Sequence, residues 1–396
     1  MQHQLINHSP DLKRLRDEGY DLEVKGGYVC IHHIPYVNAG MQVKYGKLIS
    51  ALSLTSPTSI SKPADHTAYF MGEMPCHKNG VPYTSIVNHS RTIVLVDEYV
   101  GNHYLSSKPA CGFYNDFYDK LTRYADLISA PAKSINESAT ARPFNPFRDD
   151  IEDSTFNYFD TNASRANIAQ VNAKLIGQKI VIIGMGGTGS YILDQVAKTP
   201  VAEIHIYDAD VFSQHNAFRS PGAPSIEELD LKKSKAEYFA EIYLKMHKGV
   251  TPHVEYITAE NVQLLKGASY VFICIDNNSA RKCIIDELLK LKVSFIDVGL
   301  GVTLVDDQLI GIVRTTTGTE FKNDHLARRI PVEETEENEY ATNIQIADLN
   351  ALNAILAVIK WKKMSQFYQD LVEEHQTTYS VNVSQLLNGD TAAYVC

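Results

Sequence analysis

The run Lys179-Ile180-Val181-Ile182-Ile183, followed at once by Gly184-Met185-Gly186-Gly187-Thr188-Gly189, constrains this chain more than any other feature. An unbroken apolar pentapeptide reads as a buried strand, and the glycines allow a tight turn that opens into a helix, expected over Ser190–Lys198. In such a unit the helix N-terminus presents N–H donors and a positive dipole end, and glycines let the main chain come close to phosphates. Asp208 closes the next expected strand, Glu203–Tyr207, and lies 208 − 189 = 19 residues beyond Gly189. That is the spacing at which an acidic side chain meets a ribose hydroxyl. These residues alone leave an NAD-dependent oxidoreductase as open as any other nucleotide enzyme.

The alternation continues. A helix is expected over Lys232–Met246, a buried strand over Tyr270–Ile275, a helix over Ser279–Leu291 and a strand over Val293–Val298. This pattern predicts an α/β domain, 161–365, built on a doubly wound, mainly parallel Rossmann-like sheet. A last helix, Ile344–Lys362, carries Leu349, Leu352, Leu356 and Ile359 at steps of 3, 4 and 3, one apolar seam for the core or a subunit interface. Residues 366–396 are expected as a C-terminal tail. Upstream, Tyr28–Ile31 and Thr92–Val96 read as buried strands and Asp116–Leu127 as an amphipathic helix, which makes 1–130 a small mixed α+β domain. The small, polar, Pro-bearing stretch 131–160 reads as a linker.

Composition removes several classes. Lys plus Arg number 37 and Asp plus Glu 47, so the net charge is −10, which argues against a nucleic-acid partner or an anionic membrane surface. No run approaches 18 apolar residues, so no membrane span is expected, and the opening Met1-Gln2-His3-Gln4 leads into polar sequence rather than a signal core. The 6 cysteines form no C-x-x-C pair; reduced thiols and a cytoplasmic setting are the expectation.

The segment Asp208-Ala209-Asp210-Val211-Phe212-Ser213-Gln214-His215-Asn216-Ala217-Phe218-Arg219 resembles the D-x-D-x-V-x-x-x-N-x-x-R motif of the ubiquitin-activating-enzyme superfamily, the ThiF/MoeB-type adenylyltransferases. Lys235 matches the lysine that opens that superfamily's next helix, and Ile275-Asp276-Asn277-Asn278-Ser279-Ala280-Arg281 is similar to its D-N-x-x-x-R segment. The resemblance spans 160–365. It implies ATP and Mg²⁺ as cofactors and the adenylation of a carboxylate, that of the C-terminal residue of a ubiquitin-like protein. Gly184, Gly186, Gly187, Gly189, Asp208, Asn216, Arg219, Lys235, Asp276 and Asn277 would then bind the nucleotide. A triphosphate carries about four negative charges, for which Arg219 and Lys235 supply fixed cations. Asp276, after a strand end, is the natural magnesium ligand. Members of the superfamily often form homodimers in which an arginine enters the partner's ATP site; Arg165 is the best match, with 180 − 165 = 15 residues to Ile180 at the start of the apolar strand. The stretches 26–38 and 66–76 are similar to an uncharacterised bacterial domain that precedes such chains, which implies recruitment of the ubiquitin-like protein or a conjugating-enzyme-like partner.

The pattern breaks at the crossover loop, expected over Arg314–Thr342, which contains no cysteine. A thioester on that loop is therefore excluded. The acyl group would pass directly to a partner, or to a loop hydroxyl among Thr315, Thr316, Thr317, Thr319, Thr335 and Thr342, or to Cys396. A threonine would need an activating base, being a far poorer nucleophile than a thiolate. Activation of a sulfur-carrier protein for cofactor synthesis or tRNA thiolation, an NAD-dependent oxidoreductase and an inactive scaffold subunit remain as alternatives.

Overall fold

The computed structural model describes residues 2–56, 59–146, 154–166, 168–331 and 344–391. The chain divides into two compact units, Met1–Phe147 and Arg148–Cys396.

The first unit opens with helices α1 (Gln2–His8) and α2 (Pro10–Asp17). Eight strands follow: β1 (Leu22–Lys25), β2 (Tyr28–Val37), β3 (Val43–Ala51), β4 (Leu54–Ser56), β5 (Ser59–Ile60), β6 (Thr67–Met71), β7 (Val87–Val96) and β8 (Tyr99–Ser106). Six of them form an antiparallel sheet in the order β1-β2-β3-β6-β8-β7. Helix α3 (Phe117–Lys133) packs Phe117, Leu121, Tyr124 and Ile128 into the same core as Val29, Ile31, Leu48 and Phe70 of the sheet. Asp116 caps α3 by accepting from the Asp119 N–H at 2.7 Å.

Two expectations change here. Thr92–Val96 is a strand, but an edge one paired with β8 alone, and Thr92 and Val94 are exposed. An apolar run on an edge strand need not be buried, because it has one neighbour instead of two. The expected linker, 131–160, begins inside α3, whose last turn contains Pro131; Ala139 and Ala141 beyond it are buried against the first unit.

The second unit begins with α4 (Thr161–Arg165) and α5 (Ala169–Asn172). It then alternates β9 (Lys179–Ile183), α6 (Gly187–Val196), β10 (Glu203–Tyr207), α7 (Gln214–Ala217), α8 (Ile226–Asp230), α9 (Lys235–Tyr243), β11 (Val250–His253), β12 (Tyr270–Ile273) and α10 (Asn278–Leu291). It closes with β13 (Ser294–Val305), β14 (Gln308–Gly318), α11 (Leu326–Arg329), α12 (Ala347–Met364), β15 (Gln376–Ser380) and β16 (Gln385–Gly389). The sheet order is β11-β10-β9-β12-β13-β14-β15-β16. Neighbours from β11 to β13 run parallel, and those from β13 to β16 antiparallel. Alternate residues of β9 are buried on opposite faces, Ile180 and Ile182 with α6, α9 and α12, Val181 and Ile183 with α10. That double burial is why the sequence shows an unbroken apolar run.

The stretch expected as a tail, 366–396, supplies β15 and β16. It reads as a tail because its strands alternate weakly and remain half exposed. Helix α12 is rotated from the expected seam. Its inner face is Asn350, Asn353, Ala354, Ala357, Val358 and Trp361, while Ile355 and Ile359 are exposed. Of the expected seam only Leu349 is buried; the rest of the inner face is alanines, asparagines, Val358 and Trp361, which carry no leucine repeat to advertise it. Among the described residues no helix is long and apolar enough to cross a membrane.

Candidate functional site

Strand order reverses at β9, with β10 on one side and β12 on the other, so a crevice opens beyond the C-terminal ends of β9 and β12. A cavity of about 1220 Å³ occupies it. Gly184, Gly186, Gly187, Asp208, Arg219, Lys235, Asp276 and Asn277 all line this one cavity.

The glycines are not equivalent. Gly184 has φ +91°, which L side chains rarely adopt, and a Cβ there would lie 2.6 Å from the Cys274 carbonyl oxygen. A Cβ on Gly189 would lie 1.9 Å from the Gly184 carbonyl oxygen, and one on Gly187 2.2 Å from Asn350. Gly184 and Gly189 need glycine because main chain stands in the way, whereas at Gly187 the obstacle is the Asn350 side chain. Around Gly186 nothing lies within 4 Å of a built Cβ, so this glycine keeps space open. Gly186 is also the N-cap of α6 and offers no side-chain cap, which leaves first-turn N–H groups for a ligand.

Asp208 is buried beside the turn. Its Oδ2 accepts from the Met185 N–H at 2.7 Å and its Oδ1 from the Asp210 N–H at 2.8 Å. Burial raises its pKa, and Lys235 with the two N–H groups opposes that rise. The Lys235 ammonium lies 2.5 Å from Asp210 and 3.8 Å from Asp208. Lys235 reaches this place because its N–H donates to the Asp210 carbonyl at 2.8 Å and Ser234 caps α9 through a capping box with Glu237. Burial alone would raise the Asp210 carboxyl; hydrogen bonds from Lys235 and Tyr256 overcome it and hold the carboxyl below its ordinary range. Arg219 is half-buried and its Nε has no partner. Burial lowers its pKa and the Asp276 charge opposes that shift, which marks the two as electrostatic neighbours. The cap of α10 is Asn277, accepting from the Ala280 N–H at 2.8 Å, so the capping role falls beside Asp276 rather than on it.

Gly189 does not line the cavity, and five other expected residues are placed elsewhere as well. The Asn216 Oδ1 accepts from the Ser213 N–H at 2.8 Å and so caps its own helix, and Asn216 does not line the cavity. Arg165 is exposed at the end of α4 and does not line this chain's cavity. Thr315, Thr316 and Thr317 belong to β14, not to a loop, and are buried. The Thr316 Oγ1 donates to Gln376 at 2.6 Å and accepts from Arg314 at 2.5 Å. The crossover begins after Gly318, because β14 runs on to pair with β15. Thr335, Thr342 and Cys396 lie outside the described residues.

The sequence did not announce Arg314, Asn350 or Asn353, which also line the cavity. They come from β14 and α12, more than 100 residues from the glycine turn, and only tertiary packing brings them in.

The profile of the ThiF family matches residues 162–388. The chain belongs to the ThiF family. A domain of unknown function, DUF6791, matches 10–161. The adenylyltransferase and sulfurtransferase UBA4 of Saccharomyces cerevisiae is 28% identical over 152 residues, covering 38% of this chain and 32% of UBA4. The tRNA threonylcarbamoyladenosine dehydratase of Haemophilus influenzae is 28% identical over 131 residues, 32% of this chain and 49% of that protein. The chain thus spans a third to a half of the curated relatives it matches. Among solved structures, E. coli MccB with MccA-N7isoASN aligns with TM-score 0.48 and 17% identity over 61% of this chain and 74% of that one.

Proposed function

We propose that this protein adenylates a carboxylate with ATP, and that the carboxylate is the C-terminus of a ubiquitin-like protein. The observation that carries the reading is the shared cavity: an uncapped helix N-terminus at Gly186, with Arg219, Lys235 and Asp276 lining the same space. An NAD-dependent oxidoreductase would need neither the two cations nor the acid.

On this reading the triphosphate lies over Gly186 against the first turn of α6, with Asp208 at the ribose. Arg219 and Lys235 neutralise phosphate oxygens; Lys235 exchanges its Asp210 contact for a phosphate. Among the described residues no cluster of three or more His, Cys, Asp or Glu side chains could hold a metal alone. That fits magnesium, which is held by one or two carboxylates together with substrate phosphates. Asp276, with phosphate oxygens, would hold it, and the ion would supply further charge neutralisation. A carboxylate oxygen attacks the α-phosphorus, the bond to the β-phosphate oxygen breaks, and pyrophosphate leaves with the electron pair. No proton moves, so the protein acts by positioning and electrostatics.

Direct transfer to a conjugating-enzyme-like partner is the favoured fate of the acyl group, since Thr315–Thr317 are buried in a strand. A homodimer is supported by exposed apolar side chains on the β13–β14 and β15–β16 hairpins, among them Leu304, Ile312, Leu386 and Leu387. Arg165 could then serve a neighbouring subunit's cavity. The likeness to UBA4, named a sulfurtransferase, favours a second reading, activation of a sulfur carrier. ATP–pyrophosphate exchange with a set of ubiquitin-like proteins tests the first; thiocarboxylate formation on adding a sulfur donor identifies the second. Exchange with no such protein, together with NAD binding, defeats both.

A further inference from the structure

Asp297, in β13, is fully buried, and two guanidinium groups converge on it. The Arg281 Nε lies 3.0 Å from its Oδ1 and the Arg314 Nη2 2.6 Å from its Oδ2. Two cations on one carboxylate leave an excess positive charge in a site of low dielectric, which is unfavourable until an anion or a strong dipole answers it.

Arg281 is occupied by the protein: beyond Asp297 it donates to Asn278 Oδ1, to the Ile275 carbonyl and, at 3.5 Å, to the Pro331 carbonyl. Arg314 is placed differently. It donates to Asp297 and, through Nη1, to Thr316 at 2.5 Å, and a guanidinium has five N–H donors in all. Its cross-strand partner is Gly299, and a Cβ there would lie 2.8 Å from Nη2 and 2.9 Å from Nε. Only glycine lets the guanidinium lie across β13. Two residues on, nothing lies within 4 Å of a Cβ built on Gly301, so the adjoining space stays open. Both glycines and Arg314 line the same cavity as Arg219, Lys235 and Asp276.

Resting on the adenylation reading, we infer that Arg314 is the cation that receives the acyl substrate. Its guanidinium pairs with the attacking carboxylate and afterwards with the carbonyl oxygen of the acyl-adenylate. The chemistry requires such a group, because a carboxylate must approach a polyanionic triphosphate within bonding distance. Arg219 and Lys235 belong to the β10–α9 side and Arg314 to the β13–β14 side, so nucleotide and acyl group each meet their own cation. Asp297 is a positioning residue that fixes the plane of the fork.

The test titrates the full-length chain with ATP, AMP and 5′-O-(N-glycylsulfamoyl)adenosine, a stable acyl-adenylate mimic. The wild type is expected to bind the mimic more tightly than AMP. Arg314→Gln should cut that preference about 10- to 100-fold, the worth of a charge-assisted hydrogen bond, and leave ATP and AMP affinity within about threefold. Gly299→Ala keeps the charge but displaces the guanidinium; it should show the same split and serves if Arg314→Gln fails to fold. Equal losses for AMP and the mimic, or an undiminished preference in Gly299→Ala, would overturn the assignment. ATP and AMP binding with no effect of either variant on the mimic defeats Arg314 alone. Absence of ATP and AMP binding in the wild type defeats the adenylation reading and this inference with it.

Discussion

Residues that look alike in sequence do different work once the neighbours are known. Gly186 and Gly189 belong to one motif, yet a side chain at Gly186 meets empty space and one at Gly189 meets main chain. Gly189→Ala should therefore lower stability by about 2–3 kcal/mol, the usual cost of overpacking. Gly186→Ala should keep the melting temperature and lose ATP affinity; calorimetric unfolding beside nucleotide titration separates the two. The candidate cations and the candidate magnesium ligand were legible because a motif fixed their order along the chain. Arg314 and the asparagines of α12 were not, since a lone arginine in a strand or an asparagine in a helix has no local signature. Asn216 is the opposite case: its motif position is right, but its side-chain oxygen is engaged by its own helix start and it does not line the cavity.

At the scale of elements, β9, β10, β12 and α10 fall where hydrophobic period and capping residues put them, because each is buried on both faces or carries its own cap. The β14 boundary was illegible, since Arg314–Gly318 becomes strand only by pairing with the far end of the β13 hairpin and with β15, which is distant in sequence. Buried as they are, the three threonines should be dispensable as acyl acceptors: Thr315→Val and Thr317→Val should leave any covalent adduct with the substrate unchanged on a denaturing gel. The segment after α12 is tied back by Asp370, whose carboxylate lies 3.1 Å from Lys360 and 3.4 Å from Lys363. Burial works against that charge, but the Glu373 N–H and the two lysines overcome it and bring the pKa down to about 2. A depressed carboxyl stabilises the fold above its unfolded pKa and ceases to as pH falls through the folded one. Asp370→Asn should therefore cost about 1 kcal/mol at pH 7, after allowance for solvent screening, and the difference from wild type should fade between about pH 4 and pH 2 in denaturant titrations.

For the whole molecule, the alternating elements foretold the mainly parallel sheet, and its reversal of strand order fixes where a ligand can enter. The antiparallel extension, β14 to β16, was not foretold, and it carries the exposed apolar hairpins. Substituting Leu386→Glu and Leu387→Glu together should convert a dimer to a monomer in sedimentation equilibrium; an unchanged mass would place the subunit contact elsewhere. The central claim is that Arg219, Lys235 and Asp276 act on one bound triphosphate. Titration of magnesium-ATP into the wild type, Arg219→Ala, Lys235→Ala and Asp276→Asn tests it most directly. The account predicts that the wild type binds ATP in preference to NAD and that each substitution weakens ATP about 10- to 100-fold; variants that all bind ATP as the wild type does, or a wild type that prefers NAD, would contradict it.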